Sequence, residues 1–256
     1  MSAEIPAHRE PVFNIPSVVV GILAVLVLIH VARWLLLSER GDLETVLTFA
    51  FIPARYDTSL VLGGAIPGGA GAEVWSFVTY ALLHADSTHL GFNALWLLAF
   101  GSAVAWRFGT SRFLAFFAVT AAAGALVHLM THRGELAPMI GASASVSGAM
   151  AAAMRFAFQR GGPLGFWRAG DAQAYRVPAL PLSGVLRDPR VFAFLIVWFG
   201  VNLLFGVGSF PLAGEGQDIA WQAHVGGFLA GLLLFGVFDP RLPPGNPISY
   251  ADRDAA

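Results

Sequence analysis

Ser143, Ser145 and Ser147 fall within one short run, GASASVSGAM, from Gly141 to Met150. A serine hydroxyl is a poor nucleophile until a base takes its proton, and neutral histidine is the usual base. The chain has seven histidines, no cysteine and no lysine. Thiolate nucleophiles, thiolate metal sites, disulfides and lysine bases are therefore excluded. His224, in AHVGGFLAG, is the candidate base, and His89 and Asn93, in HADSTHLGFN, stand four apart. On a helix that spacing puts both on one face, where each can donate a hydrogen bond to an oxyanion. Ser143 opens an apolar run, so it sits in the first turn of a helix, where free N–H groups favour developing negative charge. No acid is placed to orient His224: Asp218 lies six residues earlier, and Asp86 belongs to a different helix. A serine–histidine pair with an oxyanion hole would transfer an acyl group to water. His84, His89 and His224 could instead hold zinc. No carboxylate or cysteine completes that set, and HxxxxH is not a usual ligand spacing, so no metal or cofactor is expected.

These groups act only if the chain delivers them to one place. Its 256 residues are 56% hydrophobic and 12% charged, with a mean hydropathy of +0.67. A soluble domain carries about 25% charged residues, so this chain belongs in a lipid bilayer. A net charge of −1 argues against a nucleic-acid partner. About 20 apolar residues cross a bilayer as a helix, and six stretches are candidates: Ile15–Leu37, Leu83–Trp106, Ser111–Met130, Ser143–Phe158, Val191–Val207 and Ile219–Phe238. The expected fold is all-α, one six-helix membrane domain over 15–238, with short tails at 1–14 and 239–256. The opening MSAEIPAHREPVFNIP mixes acids with bases and has no cleavage site, so it does not read as a signal peptide. Eleven arginines fall on one side of this topology and four on the other, which predicts that both termini are cytoplasmic. The long connection Ser38–Leu82 holds FIPARY, GGAIPGGAGAE and WSFVTYALL. It is expected to form partly inserted, amphipathic structure on the external side. Gln159–Arg190 reads as a cytoplasmic loop.

With that orientation the second, fourth and sixth spans run the same way, so their polar residues share a leaflet. The run Ser143–Phe158 rises about 24 Å against a hydrocarbon core of about 30 Å. If its inner end reaches the interface, Ser143 starts about 6 Å below the outer surface. His224, sixth in its span, comes out about 7–8 Å down. His89 lies a few ångströms below the surface, with Asn93 one turn deeper. Serine, histidines and asparagine thus converge on one level beneath a recess that water can enter.

HADSTHLGFNALWLLAFG, GASASVSGAM and AHVGGFLAG, in that order, resemble the rhomboid family of intramembrane serine proteases. The resemblance covers about Ile15 to Phe238. It implies Ser143 as nucleophile and His224 as base, with His89, Asn93 and the Ser143 N–H as oxyanion donors. It further implies that Gly227 and Gly231 let the sixth span pack closely on the fourth, and that His84 occupies another histidine position common in the family. The implied substrates are transmembrane segments of other membrane proteins, cut near the outer leaflet without a cofactor. A bacterial cytoplasmic membrane is the expected location. The family's GxSG reads Gly141-Ala142-Ser143-Ala144 here, with alanine in the last position. A shifted match, Ser145-Val146-Ser147-Gly148, fails at its first position and would make Ser147 the nucleophile. The alanine also leaves open a catalytically silent relative that binds membrane clients.

Blander roles suit the remaining residues. The small residues of GASASVSGAM could serve only as a packing face. His30 and Arg33 are expected to snorkel or to cap the first span, and His128 and His132 to lie at the external interface. Asn202 reads as an interhelical hydrogen-bond donor, and Trp75 and Trp106 as interfacial anchors.

Overall fold

A computed structural model describes residues 15–57, 66–164, 172–207 and 220–240; for 201–207 it describes the helix alone. The expected tail 1–14, all of the expected tail 239–256 beyond residue 240, part of the glycine-rich run, Asp218 and the side chain of Asn202 lie outside the described residues. Those residues form helices joined by turns, with no strand beyond one isolated bridge between Phe51 and Met139. In chain order the helices are α1 (Ser17–Leu36), α2 (Glu39–Phe49), α3 (Gly69–Thr79), α4 (Ser87–Trp96) and α5 (Ser102–Phe108). They continue with α6 (Thr110–Thr131), α7 (Ser143–Met154), α8 (Leu182–Arg187), α9 (Pro189–Val207) and α10 (Trp221–Phe238). A π-helical turn, Leu97–Gly101, joins α4 to α5 without a break.

Among the described residues, four helices are long and apolar enough to cross a membrane: Ser17–Leu36, Ser87–Phe108, Thr110–Thr131 and Trp221–Phe238. The apolar part of α9, Pro189–Gly200, is shorter. The expected fourth span is equally short: α7 has 12 residues, about 18 Å of rise. Every residue from Ala144 to Met154 is buried, because α7 packs against both α6 and α10, which also pack on each other. Alanine, serine and glycine suit that place, since helices with small side chains can approach closely from both sides.

The described residues of the connection between α1 and α4 pair α2 with α3 as a helical hairpin. Ser38 caps α2 by accepting from the Gly41 N–H, and Glu39 and Asp42 complement the positive end of that helix. Asp42 pairs with Arg33 at 2.6 Å, and Arg33 also donates to the His84 carbonyl at 2.9 Å. Arg33 therefore ties α1, α2 and the approach to α4 together rather than snorkelling. Arg55 donates to the carbonyls of Leu47 and Pro67, at 2.7 and 3.0 Å, and Tyr56 Oη bonds Ser76 Oγ at 2.9 Å. Trp75 Nε1 reaches the Thr48 carbonyl at 3.1 Å. Exposed Leu43, Phe49, Val74 and Trp75 leave the hairpin an apolar face. His128, expected at the external interface, is buried among protein neighbours, with its ring stacked on His132 at 4.1 Å between centroids.

At the other end of the bundle Arg107 closes the structure. It pairs with Asp239 at 2.6 Å and donates to the carbonyls of Tyr175 and Val177, at 3.0 and 2.7 Å. Its guanidinium also lies over the Phe156 ring. One arginine thus joins α5, the foot of α10 and the link that follows α7.

Candidate active site

Asp86 begins the site. Its carboxylate accepts the His89 N–H at 2.8 Å and caps α4, a use of a short acidic side chain that satisfies an otherwise orphaned donor. The cap fixes where α4 starts, and so the direction in which His89 and Asn93 leave the helix. Asn93 is buried, and its Nδ2 donates to the His89 carbonyl at 2.9 Å. The His84 ring, also buried, meets the His89 ring edge-on with 5.1 Å between centroids.

Gly141 carries the approach to the serine. Its φ is +119°, a region that L side chains avoid. Its N–H donates to the Tyr80 carbonyl at 3.0 Å, two residues beyond the Phe51–Met139 bridge, whose bonds are 3.1 and 2.8 Å. A Cβ on Gly141 would stand 2.6 Å from His89 Nε2 and 3.8 Å from Ser143 Oγ. The missing side chain is the space that lets the His89 ring lie over the backbone beside Ser143. Ser143 opens α7, and Ala142 supplies no side-chain cap. The first-turn N–H groups therefore have no capping oxygen at that position.

His224 arrives from α10, and its Nε2 lies 2.7 Å from Ser143 Oγ. The approach depends on glycine. A Cβ on Gly227 would strike the Ala144 carbonyl, and one on Gly231 the Gly148 carbonyl. The structure thus brings together Ser143, His224 and His89, with Asn93 one turn below His89. Ser145 turns away, donating to the Phe117 carbonyl at 2.8 Å, and Ser147 is buried one turn further along α7. Asp86 is committed to its cap.

A family model described as "Rhomboid domain" matches residues 71–240. The chain belongs to the rhomboid family. It is 27% identical over 191 residues to a rhomboid protease GlpG of Enterobacter sp. (strain 638), covering 74% of this chain and 58% of that protein. It is 27% identical over 219 residues to a protein of the same name from Pectobacterium atrosepticum, covering 85% and 60%. To rhomboid-like protease 3 of Toxoplasma gondii it is 26% identical over 178 residues, covering 69% and 57%. The chain spans roughly three fifths of the length of these curated relatives. Its family membership and its apolar helices make this rhomboid an integral membrane protein.

The matched stretch contains His89, Asn93, Ser143 and His224, and leaves α1 and α2 outside. Two contacts around the site in this rhomboid were not anticipated from sequence. The Asp86 cap was legible as Asp three residues before the histidine, ahead of an apolar run. The Tyr80–Gly141 bond was not, because it joins backbone atoms 61 residues apart, and no side-chain pattern records a backbone carbonyl.

Proposed function

We propose that this rhomboid is a serine endopeptidase that cuts peptide bonds in or beside transmembrane segments of other membrane proteins. The observation that carries the reading is the 2.7 Å approach of His224 Nε2 to Ser143 Oγ, between residues 81 apart in sequence. His224 takes the hydroxyl proton as Ser143 Oγ attacks the carbonyl carbon. The oxyanion accepts hydrogen bonds from His89, Asn93 and the Ser143 N–H. Collapse expels the amine, which takes the proton back from His224 and leaves an acyl-enzyme. A water deprotonated by His224 then attacks the ester, and the carboxylic product departs as Ser143 recovers its proton. A helical peptide bond is shielded from attack, so residues that unwind the substrate helix favour cleavage. Six membrane crossings, cytoplasmic termini and a bacterial cytoplasmic membrane complete the reading; water reaches the serine from the external side.

Ala144, where the family motif has glycine, favours one rival, a catalytically silent rhomboid that binds membrane clients. A fluorophosphonate probe on the purified protein separates them. Labelling is expected in the wild type, lost in Ser143→Ala and kept in Ser147→Ala. The reverse pattern moves the nucleophile to Ser147. Folded protein that the probe reaches but never labels is the silent relative.

A further inference from the structure

Gly124, in α6, stands against α7 beside Ser143, against α10 beside His224 and against the turn at Tyr80. A methyl group placed on it would lie 2.5 Å from the Ala144 side chain, 2.8 Å from the Ala223 carbonyl oxygen and 3.1 Å from Tyr80 Oη. Ala144 follows Ser143 in sequence, and Ala223 precedes His224. The Tyr80 carbonyl receives the Gly141 N–H, and its hydroxyl donates to the Ala121 carbonyl on α6 at 2.9 Å. Carbon atoms settle about 3.5–4.0 Å apart, so no side chain fits at 124 unless these neighbours move.

They have little freedom to move. The Ala223 oxygen is helix backbone. A Cβ on Gly226, a little further along the same seam, would stand 2.7 Å from the Ala123 carbonyl oxygen, so α6 and α10 already meet at backbone contact. On the opposite side α10 lies against the α7 backbone through Gly227 and Gly231. Relief that leaves α6 in place must shift α7 or α10 as a body, and the Ser143–His224 contact bridges those two helices.

We propose that Gly124 is a positioning residue: its bare α-carbon sets the separation of Ser143 Oγ from His224 Nε2 and makes the room that the Ala144 methyl occupies. The proposal rests on the serine–histidine reading above. It also gives the departure from the family motif a physical basis. One methyl fits between α6 and α7 at this level, and in this chain it belongs to residue 144.

The test uses the full chain in detergent, below its melting temperature, and reads fluorophosphonate inactivation as a maximal rate and a half-saturating concentration. Displacement of reacting groups by about 1 Å costs on the order of 100-fold, so Gly124→Ala is expected to lose about that factor in maximal rate. Its half-saturating concentration should stay near wild type. Ala144→Gly in the same chain removes the nearest overlap and should restore about tenfold of the loss. Full recovery is not expected, because the Ala223 oxygen remains. Should Gly124→Ala fail to fold, Ala144→Val crowds the same contact from the other side and is expected to slow the maximal rate in its place. A folded Gly124→Ala protein with the wild-type maximal rate overturns the proposal, as does a double variant no faster than the single one. For the substitute, the overturning result is a wild-type rate in Ala144→Val. A wild type that is never labelled at Ser143 overturns the underlying dyad reading, and this proposal with it.

Discussion

His89 has two kinds of neighbour, and together they specify its job. Its N–H is held by Asp86 at 2.8 Å, and its ring lies over Gly141 beside Ser143. A ring so placed can meet an oxyanion that forms at Ser143, so its contribution should appear in the transition state rather than in binding. For His89→Ala, turnover of a transmembrane peptide substrate is expected to fall on the order of 10²–10³, the usual cost of removing one oxyanion donor. KM should change little. Unchanged turnover would remove His89 from the site. Gly141 depends on the same geometry: only glycine adopts φ +119° freely, and any side chain there would displace the His89 ring.

Between elements, the α7–α10 seam does most to shape the site. Two glycines of α10, at 227 and 231, meet backbone of α7, so the helix axes approach as closely as main chains permit. His224 lies about two turns from Gly231, which acts as the far pivot of that contact. Overpacking a tight contact typically costs 1–3 kcal/mol. Gly231→Val is accordingly expected to lower the melting temperature in detergent and to slow probe labelling, since separating α10 from α7 also separates the dyad. A Gly231→Val protein as stable and as reactive as wild type would mean the seam can yield without consequence. The π turn at Leu97–Gly101 matters on the same scale. Its added residue rotates the helix between its halves, so that Asn93 in α4 and Arg107 in α5 are both buried.

Across the whole molecule, chemistry and clamping occupy opposite ends of α7. Ser143 opens that helix, and the Arg107 cluster closes around the link beyond its last residue, Met154. Arg107 is almost fully enclosed, at 6% exposure, with Asp239 at 19%. Breaking a buried pair by removing one partner costs about 3–5 kcal/mol, and partial exposure of the aspartate puts this one near the lower end. Arg107→Gln should therefore melt well below wild type. Probe labelling measured safely below the new melting point should stay near the wild-type rate, because α7 separates the clamp from Ser143 by about 18 Å. Equal losses of stability and of labelling rate at low temperature would show the two ends to be coupled.

Hydropathy and residue order determined by themselves that the chain is helical and lives in a membrane, because both are local properties of composition and period. Motif order alone pointed to the rhomboid family, and spacing alone put His89 and Asn93 on one face. The lengths of the helices were less legible. α7 reads as apolar through Phe158 but ends at Met154, since a helix enclosed by other helices need not match the thickness of lipid. The long connection offered turn residues but no sign of its hairpin, which is held by bonds from Arg33, Arg55 and Tyr56 to distant partners. Tertiary structure decided which of three serines lies against His224 and which is turned toward α6. It also decided where the motif's alanine finds room, over Gly124. Those outcomes depend on how closely helices cross, and that distance is set by backbones meeting at glycines far apart in the chain.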